Sequence, residues 1–106
     1  MLFFTMLVPY QSGFSKSNYI CPAPEATISD RASNSISFSW DVITGATVYK
    51  VWYSRAEDRY ISSEITTSGN SISFSTLTPG TYTFYFVTVC TGGTSTNYVI
   101  EGILMD

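Results

Sequence analysis

Hydrophobic and polar positions along this chain alternate with a period of two over several short stretches. Ser35-Ile36-Ser37-Phe38-Ser39-Trp40 is the cleanest case, with Ile36, Phe38 and Trp40 on one face. Strict alternation over so short a run predicts a half-buried β-strand. Residues 48–53 (Val-Tyr-Lys-Val-Trp-Tyr) predict another strand. Residues 71–76 predict a further one that buries Ile72 and Phe74, with Leu77 closing it. The richest stretch is 77–90. Pro79-Gly80 marks a turn, because proline presets φ and glycine accepts φ > 0. After it, Tyr82, Phe84, Phe86, Thr88 and Cys90 share one face, and Thr83, Tyr85, Val87 and Val89 share the other. Both faces are apolar from Phe84 onward, which predicts a central strand covered on both sides.

Weaker segments complete the set. Residues 25–29 read as a short first strand, with the prolines at 22 and 24 protecting an edge. Residues 60–67 read as a strand polar enough to be an edge. Residues 98–105 read as a last strand interrupted by Gly102. Turns are expected at 30–34, at Gly45, at 68–70 and at 91–95, and a solvated charged loop at 55–59. No segment sustains a helical period, and no internal repeat or dividing linker is visible. About seven short strands separated by glycine and proline predict an all-β fold, a seven-stranded antiparallel β-sandwich. The chain divides into an apolar N-terminal arm or signal-like segment, 1–20, and one domain, 21–106.

Composition narrows the function. The chain has 106 residues, 16% aromatic and only 12% charged, with net charge −3 and no histidine. Charged content is about half the usual fraction, so the surface must be built from Ser, Thr, Asn and Tyr. An acidic chain without basic clusters excludes a phosphate-tracking groove, so no nucleic-acid partner is expected. Residues 1–8 are apolar apart from Thr5. That run is too short to span a membrane. No Lys or Arg precedes it, as an export signal would require. Two readings stand: a cleaved signal, or an arm in which Leu2, Phe3, Phe4, Met6, Leu7 and Val8 dock on a neighbour.

Reactive chemistry is thinly represented. Without histidine, acid–base work would fall to Asp41, Glu57, Asp58, Glu64 and Glu101. Glu57 and Asp58 are adjacent but flanked by Arg55 and Arg59, which reads as a solvated loop with internal ion pairs. No serine or threonine sits in a nucleophile elbow, and Gly92-Gly93 joins two strands rather than opening a helix. Cys21 and Cys90 lack the clustered spacing of a zinc site. On spacing alone they are either two buried thiols or one disulfide. No enzyme, cofactor or metal site is expected.

Trp40, the run Tyr49-x-Val51-x-Tyr53, and Leu77-x-Pro79-Gly80-Thr81-Tyr82 together resemble a fibronectin type III domain over about residues 21–100. One departure is visible. The family often places a residue between Thr81 and the corner tyrosine, so the turn here is shorter. Cys21-Pro22-Ala23-Pro24, paired with Val89-Cys90, is similar to modules in secreted and surface proteins of Bacteroidetes bacteria. The resemblance implies the immunoglobulin-like sandwich. It also implies a Cys21–Cys90 disulfide, since the start of the first strand and the end of the sixth lie at one pole.

With Tyr49, Val51 and Tyr53 pointing inward, Val48 and Trp52 point outward. The third and sixth strands are neighbours in the resembled fold. Val48, Trp52, Tyr85, Val87 and Val89 therefore form one apolar–aromatic face. Soluble monomers rarely leave a large patch of this kind uncovered, although cross-strand aromatic and β-branched pairs also stabilise sheets. The expectation is a non-enzymatic binding or structural module, extracellular or at the cell surface, with a protein partner or neighbouring subunit on that face. The alternative is a subunit of a larger assembly, such as a phage virion decoration or fibre protein docked by its arm. A weaker alternative is a carbohydrate-binding accessory module with a glycan as partner.

Overall fold

The structure is a computed structural model that describes residues 20–106. The docking-arm residues Leu2, Phe3, Phe4, Met6, Leu7 and Val8 lie outside the described residues. Nine strand segments form two antiparallel sheets and a β-sandwich, and no helix occurs among the described residues. One sheet runs β1 (Thr27–Ala32), β2 (Ser35–Ser39), β6 (Ser71–Phe74). The other is centred on β3 (Ala46–Arg55) and β7 (Gly80–Cys90). The short strands β4 (Tyr60–Ile61) and β5 (Ile65–Thr67) flank β3, and β8 (Gly93–Thr94) and β9 (Tyr98–Met105) flank β7.

Inward residues are those the alternation selects. Ile36, Phe38 and Trp40 from β2 and its exit meet Tyr49 and Val51 of β3 and Tyr82, Phe84 and Phe86 of β7, all buried. The core is largely aromatic. Phe38 packs on Phe84 and Phe86 at 4.7 and 5.1 Å between ring centroids, and Trp40 meets Tyr49 edge-on at 5.3 Å. Offset and edge contacts of this kind add to plain burial.

Several boundaries differ from the sequence expectation. The first strand runs 27–32 rather than 25–29. It forms a tight hairpin with β2 (Ala32 opposite Ser35), and a bulge between Ile28 and Asp30 absorbs one residue. All of β1 is exposed, so this edge carries Asp30 and Arg31 without burying a charge. The expected strand 60–67 is split into β4 and β5, and the expected loop 91–95 contains β8. Serine makes both breaks. At Ser62, Oγ accepts the Tyr53 amide at 2.9 Å, while its own amide donates to the Tyr53 carbonyl at 2.8 Å. At Ser95, Oγ accepts the Thr88 amide and the Ser95 amide donates to the Thr88 carbonyl, both at 2.9 Å. A side chain thus takes over a ladder bond at each outer edge of this sheet, and the strand bends away. Irregular edges of this kind are poor templates for adventitious pairing.

Gly102 interrupts β9 as expected, with a consequence that alternation does not reveal. Tyr82 pairs with Ile103 and Phe84 with Ile100, so two residues of β9 face one of β7. Gly102 takes φ +71°, a left-handed value that glycine adopts without steric cost. The bulge reverses the phase. Tyr98 and Ile100 point to the core before it, and Ile103 and Met105 are buried after it. At the far pole Cys21 and Cys90 form a disulfide with Cα atoms 6.1 Å apart.

Candidate binding face

The outer face of the larger sheet is set by the β3–β7 register. Val48 stands opposite Val89, Lys50 opposite Val87, and Trp52 opposite Tyr85. All five expected face residues therefore come together on one surface. The Trp52 and Tyr85 rings are 5.4 Å apart and within 9° of parallel. Both are half-buried, as are Val48 and Val89. Val87, flanked by Lys50 across the ladder and by Tyr85 and Val89 along its own strand, is only 8% exposed. Part of the face is thus satisfied within the sheet, as cross-strand pairing predicts.

Sequence reasoning missed one member. Val99 of β9 lies opposite Tyr85 and is 39% exposed. It extends the aromatic pair into a row, Trp52–Tyr85–Val99. The signal was present in the alternation of Tyr98, Val99 and Ile100, but it stops at Gly102. Polar groups share the same face. Lys50 Nζ lies 3.7 Å from Glu64 Oε1, and the Tyr85 hydroxyl is 3.5 Å from Ser54 Oγ. The face therefore combines aromatic and aliphatic side chains with one ion pair, whose Lys50 stands between Val48 and Trp52.

The carboxylates are dispersed. Glu64 pairs with Lys50 on the outer face, Glu101 stands exposed at the Gly102 bulge, and Asp41 borders a shallow cavity near Pro22 and Glu25. Among the described residues no group of three or more Cys, Asp or Glu is placed to hold a metal ion. Residues 56–59 are exposed and the internal ion pair expected of this loop forms. Arg55 binds the Asp58 carboxylate through both Nε and Nη2. Glu57 accepts the Thr81 amide on both oxygens, at 2.9 and 3.1 Å. That backbone bond holds the Glu57 carboxyl below its ordinary range, and the Arg55 guanidinium does the same for Asp58. The contact needs Gly80, where a Cβ would lie 2.7 Å from Arg55 Cδ and 2.8 Å from Glu57 Oε1. The shortened corner still closes, because the Tyr82 hydroxyl donates to the Thr78 carbonyl at 2.7 Å.

No protein-family profile matches the sequence, and no curated protein does either. Solved structures do match. The fibronectin type III domain of the human collagen alpha-1(XX) chain superimposes with TM-score 0.72 at 20% identity, over 89% of this chain and 94% of that one. A crystal structure of a fibronectin type III domain of human collagen XX gives 0.62 at 14% identity, over 84% of this chain and 98% of that one. The twitchin kinase region of C. elegans gives 0.64 at 17% identity over 80% of this chain, which spans only 16% of that longer chain. Residues 20–106 therefore have the fold of a fibronectin type III domain.

Proposed function

We propose that this chain is a non-enzymatic binding or structural module, displayed outside the cell, that seats a protein partner on the face of Val48, Trp52, Tyr85, Val87 and Val89. The observation that carries this reading is the stacked Trp52–Tyr85 pair, left half-open in a row that Val99 continues. Tryptophan and tyrosine are enriched among the few residues that supply most of the energy of typical interfaces. A disulfide belongs to an oxidising compartment, and no helix among the described residues is long and apolar enough to cross a membrane. The disulfide supports display outside the cell, as does the resemblance to surface modules of Bacteroidetes.

The chain has only two tryptophans, and Trp40 is buried, so Trp52 reports on the face. In the full chain, fluorescence quenching by iodide should be weak when the face is covered and strong in a variant that frees it. Ready quenching of Trp52 in the native assembly would overturn the proposal.

A second reading draws on the apolar residues 2–8. The chain would then be a subunit of a larger assembly, such as a virion decoration, with that arm docked on a neighbour. Mass spectrometry of the native N-terminus separates the two. Retention of Met1 or Leu2 argues against export by cleavage and favours the arm.

A further inference from the structure

At the pole opposite the disulfide, the ends of the two sheets leave a cleft of about 350 Å³. This is within the range of small-ligand sites, at its lower end. Three tyrosines line it in sequence: the Tyr60 and Tyr53 rings are 6.1 Å apart, and Tyr53 and Tyr82 are 5.4 Å apart. Tyr60 forms the outer wall and is 47% exposed. Ser75, Thr76 and Thr78 also line it; the Thr76 hydroxyl donates to the Ser75 carbonyl and the Thr78 carbonyl accepts from Tyr82, which leaves hydroxyl oxygens free to accept. Arg55 completes the lining, with its guanidinium 5.7 Å from the Tyr60 ring centre and Nη1 3.4 Å from the Tyr82 hydroxyl. The two non-glycine residues with positive φ among the described residues are Arg59 at 56° and Thr76 at 53°. One precedes Tyr60 and the other lines the cleft. A β-branched residue in that region is strained, and such strain concentrates at functional sites.

We propose that this cleft binds one neutral saccharide ring. Its chemistry selects against the other small-ligand classes. Among the described residues that line the cleft Arg55 alone is charged, and its charge is already met by Asp58, so the lining leaves no unpaired cation for an anion. The surface is too rich in hydroxyls for a purely apolar ligand. What remains is an exposed phenol ring on which a sugar face can stack, facing phenolic and aliphatic hydroxyls that exchange hydrogen bonds with ring hydroxyls. Burial, with Tyr60 and Tyr82 nearby, raises the Tyr53 phenol above its ordinary range, so it stays neutral and able to donate. The site is separate from the Trp52–Tyr85 face and does not depend on the reading given to that face.

The test is an amide-resonance titration of the full chain with methyl glycosides of glucose, galactose, mannose and N-acetylglucosamine, with glucuronate as the charged comparison. Saturable shifts at Ser75, Thr76 and Thr78 with at least one neutral glycoside are expected. Tyr60→Ala should weaken them about tenfold, the equivalent of one aromatic contact, and Trp52→Ala should leave them unchanged. Tyr60→Phe keeps the ring and should retain binding. No shift at the cleft with any glycoside, preferential binding of glucuronate, or shifts that survive Tyr60→Ala would each overturn the proposal.

Discussion

The Tyr82 hydroxyl donates to the carbonyl of Thr78, four residues earlier, and so pins the start of β7 to the turn that precedes it. Tyr82 is 1% exposed and also stands 3.4 Å from Arg55 Nη1. Tyr82→Phe keeps the packing and removes the bond. It should cost about 1 kcal/mol, or about 4–8 °C in Tm for a domain of this size. An unchanged denaturation midpoint would show that the corner is held by packing alone.

The two serine breaks should differ in cost. Ser95 satisfies the amide of Thr88, which is wholly buried, whereas Ser62 satisfies that of the half-buried Tyr53. Ser95→Ala strands a donor that water cannot reach and should cost about 1–3 kcal/mol. Ser62→Ala should cost less. Urea midpoints at an unchanged slope decide the order; equal effects would mean that burial does not set the penalty.

Reduction should act on the whole domain. The disulfide joins residues separated by 69 positions, and closing so long a loop stabilises by about 4 kcal/mol on the chain-entropy estimate. The Cys21→Ser, Cys90→Ser double variant should lose most of that amount in chemical denaturation. A loss below roughly 1 kcal/mol would show that the reduced chain stays ordered near this pole.

Acid should loosen the corner. Glu57 is held low by the Thr81 amide, and Asp58 by Arg55. A carboxyl with a depressed folded pKa stabilises the fold above its unfolded value, near about 4. That contribution is lost as pH falls through the lower folded value. Stability should therefore hold from neutrality to about pH 5 and fall progressively below about pH 4. The Glu57→Gln, Asp58→Asn variant should be weaker at neutral pH and flatter in acid. An acid limb parallel to that of the native chain would remove these groups as its cause.

Gly102 offers a purely backbone test. At φ +71° a Cβ would meet nothing within 4 Å, so Gly102→Ala should cost about 1 kcal/mol from conformation alone. Gly69→Ala, at a position without a left-handed φ and with only an ordinary 3.7 Å contact, should be close to neutral when compared by thermal melting.

The linear pattern of residues determined which side chains enter the core. Inward and outward sets on β2, β3 and β7 follow from a period of two, because successive side chains in a pleated strand must take opposite faces. The outer row Val48, Trp52, Tyr85, Val87 and Val89 was legible for the same reason, once β3 and β7 were neighbours. Three features were decided only by the folded chain. Whether 60–67 forms one strand depends on Ser62 meeting Tyr53 across the ladder. The phase of β9 depends on a bulge at Gly102, which places Val99 on the outer row but Ile103 in the core. The charged loop 55–59 becomes a clamp only because Thr81 and the bare Cα of Gly80 arrive beside it. Each is a contact between one strand and another, and local alternation carries no information about a partner that the chain has yet to meet.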